Sequence, residues 1–257
     1  MKGPAWEALV EEIGRWRNAG NVADFWWRDD DAGPPSIALG RLLGLASRTS
    51  VPLAVAAIPS IAEPAAFAEI DSEVAVIQHG VDHENRARAS EKKTEFPAAE
   101  PFEQALCRLV EGRRQLEIAA GERCIPVLAP PWNRFPAPLL SYLGVAGFRG
   151  LSTFGVRKVT YPAQGVLAVN THVDIIDWKG TRGFCGADQA LAQATRHLAA
   201  RRMGGADALE PTGWLTHHAV HDEQCWNFLE TLFEATRALD GVRWRSAVEL
   251  FGCKSGI

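Results

Sequence analysis

The sequence has no Cys-x-x-Cys pair, no apolar run approaching the length of a membrane span, no cluster of lysine and arginine, and no low-complexity linker or internal repeat. Each absence excludes a class of protein. The five cysteines, Cys107, Cys124, Cys185, Cys225 and Cys253, are odd in number and irregularly spaced, so neither a disulfide framework nor a thiolate zinc site is expected. They read as reduced thiols. With a formal net charge of −4 and no basic stretch interleaved with aromatics, the chain carries no electrostatic footprint for nucleic acid. Glu7, Glu11 and Glu12 stand where a secretory signal would need an apolar core, so the expected location is the cytoplasm and the chain is not expected to span a membrane. Tyrosine is scarce, two residues against nine tryptophans. Tryptophans beside a polar cleft form sugar-stacking faces, although packing accounts for most of them.

What remains is ordinary globular material: 257 residues, 47% hydrophobic and 23% charged, enough for one large core and a single domain over residues 1–257. Apolar positions three and four apart predict helices over 5–18, 36–48, 101–120, 187–202 and 223–239, with shorter ones over 65–70, 139–143 and 247–251. Short β-rich runs predict strands over 24–28, 52–58, 74–78, 124–129, 147–151, 166–170, 213–216 and 242–245. Strands alternating with helices predict parallel pairing with crossover helices, hence an α/β fold, and the length and element count suit a (β/α) barrel of about seven units. On such folds ligands gather at the carboxyl ends of the strands, which is where the polar motifs fall.

The first of those motifs is Phe25-Trp26-Trp27-Arg28-Asp29-Asp30-Asp31, an apolar aromatic run that ends in three consecutive carboxylates. Three like charges side by side are unfavourable, and a strand end aimed at a cation offsets the cost. The second is Gln78-His79-Gly80-Val81-Asp82-His83, behind the apolar run Val74-Ala75-Val76-Ile77. In a turn of helix, imidazoles at i and i+4 would project from one face. Taken alone, the triplet before Gly33-Pro34-Pro35 reads as a solvated turn and the His-x-x-x-His pair as a polar loop. Joined, one aspartate and two histidines form a 2-His-1-carboxylate set, which binds a divalent transition metal, zinc before magnesium or calcium, with positions left open. Residues 85–97 read as a polar surface loop over the site. Pro130-Pro131-Trp132 fixes an extended loop, and His217, His218 and His221 cluster behind a short apolar strand. His172 and His197 are assigned to structure.

In chain order, Arg28-Asp29-Asp30-Asp31, His79-Gly80-Val81-Asp82-His83, Pro130-Pro131-Trp132, Asp174-Ile175-Ile176-Asp177-Trp178 and Leu215-Thr216-His217 resemble the five motifs of the NodB-type polysaccharide deacetylases, a resemblance that spans Phe25 to Asp222. It implies a distorted (β/α) barrel of NodB-homology type and a metal-dependent hydrolase that removes acetyl groups from an N-acetylated sugar, acting on carbon–nitrogen bonds other than peptide bonds. It implies Asp31, His79 and His83 as metal ligands, Asp30 as general base, His217 as general acid, and Asp174 or Asp177 as the carboxylate that orients the acid. Trp132, Arg134 and Trp178 are the implied substrate contacts. The competing register makes Asp29 the base and Asp30 the ligand, but the Arg-x-Asp-Asp form of divergent relatives favours the later pair. One departure stands out: the family's arginine before Pro-Pro is here Ala129, and Arg134 or Arg28 is available to replace it. A cytoplasmic setting points to a small, nucleotide-linked or lipid-linked acetylated sugar. The alternative, opened by Ala129, is a catalytically silent barrel that binds a carbohydrate or protein partner.

Overall fold

Ten residues, Ala23–Ala32, form β1, the strand on which the computed structural model is centred; residues 1–68, 70, 71 and 73–253 are described. The chain enters through α1 (Pro4–Asn18), and β1 is followed by α2 (Ile37–Thr49), β2 (Leu53–Ala57), α3 (Pro64–Phe67) and β3 (Val74–His79). Next come α4 (Phe102–Ala120), β4 (Cys124–Ala129), α5 (Ala137–Leu140), β5 (Gly150–Leu151), β6 (Leu167–Ala168) and β7 (Val173–Asp174). The chain closes with α6 (Ala187–Met203), β8 (Thr212–Thr216), α7 (Glu223–Arg237), β9 (Val242–Trp244) and α8 (Ala247–Phe251).

All the strand pairings are parallel, in the order β6-β5-β4-β3-β2-β1-β8-β7, with β9 added beside the start of β1. The two ends of that order are the same stretch of chain. Val169 N and Thr171 N donate to Leu151 O and Thr153 O on one side (both 3.0 Å), and His172 N donates to Gly213 O on the other (2.7 Å). Residues 167–174 therefore bring the sheet's two edges together, and the strands form a distorted (β/α) barrel of about seven units, as the alternation of elements predicts.

The alternation of side chains along β1 separates two cores. Phe25 and Trp27 pack outward among Leu9, Leu42, Phe233 and their neighbours on the surrounding helices, whereas Trp26 faces the interior with Ala54, Ala56, Ala75, Ile77 and Ala129. Small interior alanines leave room for a large side chain from β1. Phe251 of α8 closes the bottom of the barrel against Trp26, ring centroids 6.3 Å apart and nearly perpendicular. Each such fully buried large side chain contributes about 1.5–3 kcal/mol by leaving water.

The expected elements are all found, with shifted ends. The first strand runs on through the acidic triplet because β8 keeps pairing with it, Asp29 opposite Thr216, and β2 pairs as far as Ala32 opposite Ala57. The strands expected over 147–151 and 166–170 shrink to two residues each; Gly147 and Gly165, at φ +87° and +71°, turn the chain ahead of them. The helix expected over 65–70 covers Pro64–Phe67, and Glu69 lies outside the described residues.

Candidate functional site

Strict alternation would put Asp29 and Asp31 on one face of β1 and Asp30 on the other. The strand breaks that rule: its register against β2 shifts between Asp29 and Ala32, and Asp31 sits at φ +70°. This irregularity turns Asp31 to join Asp30 in one cavity, while Asp29 stays on the outward face. There Asp29 is fully buried and accepts from Thr216 Oγ1 (2.6 Å) and His218 N (3.0 Å), with His218 Nδ1 at 2.5 Å. Burial works against the Asp29 charge, but the imidazole of His218 outweighs it and holds the carboxyl below its usual range. Asp29 and His218 thus form a pair with each other, away from the cavity.

His79 is the last residue of β3, opposite Ala129 of β4. Its Nδ1 lies 2.9 Å from the Ala129 carbonyl oxygen, which only accepts, so Nδ1 carries the ring hydrogen and Nε2 presents a lone pair. The chain beyond it is not a turn of helix, in contrast to the expectation for the His-x-x-x-His spacing. Gly80 at φ +60° and His83 at φ +57° bend a loop that returns the second imidazole to the first, the ring centroids 5.1 Å apart. Gly80 has no room for a side chain: a Cβ there would lie 1.9 Å from Glu95 Oε2 and 2.6 Å from Pro131 Cδ. Glu95 is buried and gathers the loop from behind, accepting from Val81 N (2.9 Å) and Asp82 N (3.2 Å). Burial pushes its carboxyl up to about 7. The polar stretch 85–97 is therefore a loop, as its composition suggests, but one anchored by an internal carboxylate.

Asp31 Oδ1 stands 3.1 Å from His79 Nε2 and 3.3 Å from His83 Nε2. Neither contact has hydrogen-bond alignment, and among the described residues Asp31 Oδ1 is a buried acceptor without a hydrogen-bond partner. One oxygen and two nitrogen donor atoms, all within 4.8 Å of one another and one of them orphaned, fit a divalent metal ion. Burial alone would raise the Asp31 carboxyl, yet the imidazoles of His79, His217 and His83 hold it well below the ordinary range.

These residues line a cavity of about 720 Å³ with Asp30, His217, Asp174, Trp178, Trp132, Asn133, Phe154, Lys93, Arg134 and Arg182. Arg28, completely buried, holds Asp30: Nη2 donates to Oδ2 (3.0 Å), and Nε lies 2.8 Å from Oδ1 as an ion-pair contact outside hydrogen-bond alignment. The rest of the guanidinium is fixed by Ser152 O and Oγ (2.9 and 2.7 Å) and Asn133 Oδ1 (2.9 Å). Of the two arginines, Arg28 is the one in contact with Asp30, whereas Arg134 Nη1 donates to the Lys93 carbonyl at the rim (2.7 Å).

His217 Nε2 is 4.0 Å from Asp30 Oδ2. Of the three clustered histidines it is the one lining the cavity; His218 is held by Asp29, and His221 Nε2 accepts from His217 N (3.3 Å) behind it. No hydrogen bond joins Asp174 to His217 among the described residues. Asp174 instead accepts from Trp178 Nε1 (2.8 Å) and Ile176 N (3.0 Å), and the Trp178 ring stands edge-on to the His217 ring, centroids 4.7 Å apart. Burial pushes the Asp174 carboxyl up, against the pull of His217. Asp177 caps a turn through Gly180 N and Thr181 N and does not line the cavity.

Backbone strain concentrates here. Of the six described non-glycine residues with φ in the left-handed region, five line this cavity: Asp31, His83, Trp132, Asn133 and Arg182. Such conformations cost about 1–3 kcal/mol each and gather where a site is held in place. The sequence left no trace of the roles of Glu95, Phe154, Lys93 or Arg182. They come from loops without periodicity.

A second group of donor atoms, His172, His197 and Glu210, is buried elsewhere. Gly213 N donates to His172 Nδ1 (3.0 Å), so the ring hydrogen of that imidazole is on Nε2, facing Glu210 Oε2 at 3.4 Å, and the two imidazoles stack at 3.4 Å. A nitrogen that carries hydrogen offers a metal no lone pair, so His172 Nε2 is not disposed as a ligand in this arrangement.

No family model matches the sequence, and no curated protein sequence is similar to it. Solved structures are similar in fold. A T48 deacetylase with substrate has 18% identity and a TM-score of 0.52, over 90% of this chain and 92% of that one. The Bc1960 peptidoglycan N-acetylglucosamine deacetylase has 16% identity and a TM-score of 0.55, over 92% of each chain. A family 4 acetyl xylan esterase from Clostridium thermocellum, in complex with a cobalt ion, has 13% identity and a TM-score of 0.52, over 89% of this chain and 90% of that one. With its parallel strands curled into a distorted barrel and its polar motifs at the strand ends, the chain has the fold of the NodB-type polysaccharide deacetylases.

Proposed function

We propose that the chain, acting as one domain, is a metal-dependent hydrolase that removes the acetyl group from an N-acetylated sugar. The observation that carries this reading is the convergence of Asp31, His79 and His83 beside an arginine-held Asp30 and His217 in one cavity. An ion held by the three donors, zinc by their chemistry, would supply Lewis acidity to the acetyl carbonyl and to water. The Bc1960 and cobalt-bound neighbours, a deacetylase and an esterase, support that chemistry.

The remaining steps belong to the chain's own side chains. Asp30, aligned by Arg28, takes the proton of the attacking water as the new C–O bond forms at the acetyl carbon. His217 gives a proton to the sugar nitrogen as the C–N bond breaks, so that acetate and the free amine leave. Trp178 backs His217 and ties Asp174 to it, and Trp132 and Trp178 flank the sugar, with Arg134 at the outer end. No described helix is long and apolar enough to cross a membrane; a cytoplasmic setting, and with it a small, nucleotide-linked or lipid-linked substrate, is part of this reading. Arg28 supplies the contact whose loss at Ala129 favours a silent barrel.

Acetate release from N-acetylglucosamine derivatives by zinc-loaded protein tests the reading. His217→Ala is expected to lower the rate by about 10²–10⁴-fold with bound zinc unchanged. A variant as active as the parent would remove His217 from the chemistry, and loaded protein that hydrolyses no acetylated sugar would favour the silent barrel.

A further inference from the structure

Lys93, Arg134 and Arg182 come from three separate loops to the rim of the cavity whose inner wall holds Asp30, Asp31 and Asp174. All three are exposed, and among the described residues none of them forms an ion pair. The one side-chain bond among the three, Arg134 Nη1 to Lys93 O, ties two of the loops together and leaves the charge of both side chains free. Arg182 is held at the rim by a left-handed backbone, φ +59°, a conformation that disfavours any residue with a Cβ. The same cavity is lined by Trp132, its ring 4.6 Å from that of His83, by Trp178, its ring 4.7 Å from that of His217, and by Phe154; Phe154 is 43% and Trp178 40% exposed.

The cavity thus joins donor atoms and aromatic faces to three exposed cations that have no ion-pair partner among the described residues. In a chain of net charge −4, three uncompensated cations at one opening select for a negative group there. We infer that the substrate is an N-acetylated sugar carrying a phosphate, seated with its acetamido group toward Asp30 and His217 and its phosphate between Lys93, Arg134 and Arg182. The inference rests on the proposed deacetylase reading for the inner end of the cavity; the outer end stands on the rim charges alone. Guanidinium groups suit the phosphate because their planar fork presents paired N–H donors to two of its oxygens.

The test is a matched pair of probes, N-acetylglucosamine 1-phosphate and the neutral methyl glycoside of N-acetylglucosamine, titrated calorimetrically into zinc-loaded protein at low salt. The phosphate is expected to bind at least about tenfold tighter, a margin that shrinks as salt is added. In the triple variant Lys93→Ala, Arg134→Ala, Arg182→Ala the two probes should bind alike. A control lacking three cations remote from the cavity, Lys2→Ala, Arg17→Ala, Arg196→Ala, should keep the margin. Equal binding by the parent protein, or a margin that survives the rim variant, overturns the inference. Acetate release, followed in parallel, separates the two claims: rim-dependent phosphate binding without acetate release sinks the deacetylase reading and keeps the rim, whereas acetate release with no phosphate preference does the opposite. UDP-N-acetylglucosamine and a short-chain polyprenyl diphosphate N-acetylglucosamine then tell a nucleotide from a lipid as the source of the phosphate. Either one binding more tightly than the neutral glycoside supports the inference; both binding more weakly contradicts it.

Discussion

Arg28 reaches two residues along its own strand to hold Asp30, with Nη2 3.0 Å from Oδ2 and Nε 2.8 Å from Oδ1, and both side chains are buried. A same-strand contact at i and i+2 is natural in a β-strand, because both side chains face the barrel interior. The arginine thereby arrives with the carboxylate it orients, and no contribution from the loop after β4 is required beyond Asn133 Oδ1.

Removing the guanidinium leaves Asp30 buried and unpaired. Arg28→Ala is expected to cost about 3–5 kcal/mol in chemical denaturation. Arg28→Lys keeps the charge but loses the fork, so it should cost less stability while still lowering the rate of acetate release by at least about tenfold. If Arg28→Lys hydrolyses at the parental rate, the alignment of Asp30 is not what Arg28 provides.

The three consecutive aspartates should fail in three different ways. Asp31→Asn should lose zinc. Asp30→Asn should keep zinc and lose turnover, as a proton acceptor does. Asp29→Asn should keep zinc and lower stability, because it breaks the buried pair with His218. Zinc content by mass spectrometry and a melting curve on each variant read all three outcomes; loss of zinc in Asp30→Asn would return the register to Asp29 and Asp30.

That register shows where the sequence is silent. The order and type of elements could be read because apolar spacing of two and of three to four is set by which face is buried, and the polar motifs stood out at the ends of apolar runs. The rule of alternation, however, separates Asp30 from Asp31, and it takes the register shift of β1 and the left-handed φ of Asp31 to unite them. The loop from His79 to His83 was beyond reach for the same reason. Its shape depends on Glu95 and Pro131 around Gly80, contacts formed across intervals of chain that carry no period. Among the three histidines the resemblance alone selects His217; the residues themselves do not show that Asp29 captures His218.

The stacked pair His172 and His197 makes stability depend on pH. His197 is pushed from 6.5 down to about 2 by burial, with His172 and Arg201 beside it, and so stays neutral in the folded protein. The unfolded chain takes up a proton below about pH 6.5 while the folded chain does not, so stability falls as the pH drops through that range. Other groups titrate there too, so the prediction concerns a difference: between pH 6 and 4 the parent should lose up to about 1.4 kcal/mol per pH unit more than His197→Asn. Parallel stability profiles for the two proteins would mean that His197 is charged in the fold.

The central claim is that Asp31, His79 and His83 hold the ion on which hydrolysis depends. The most direct measurement is acetate release from N-acetylglucosamine 1-phosphate and its neutral methyl glycoside by chelator-stripped protein, as zinc is added back in steps. The rate should start near zero, climb in proportion to zinc and level off at about one equivalent per chain, the stoichiometry of a single 2-His-1-carboxylate site, while His79→Ala and His83→Ala stay flat over the same additions. Stripped protein that hydrolyses at the full rate, or histidine variants that follow the parent's curve, would contradict the account.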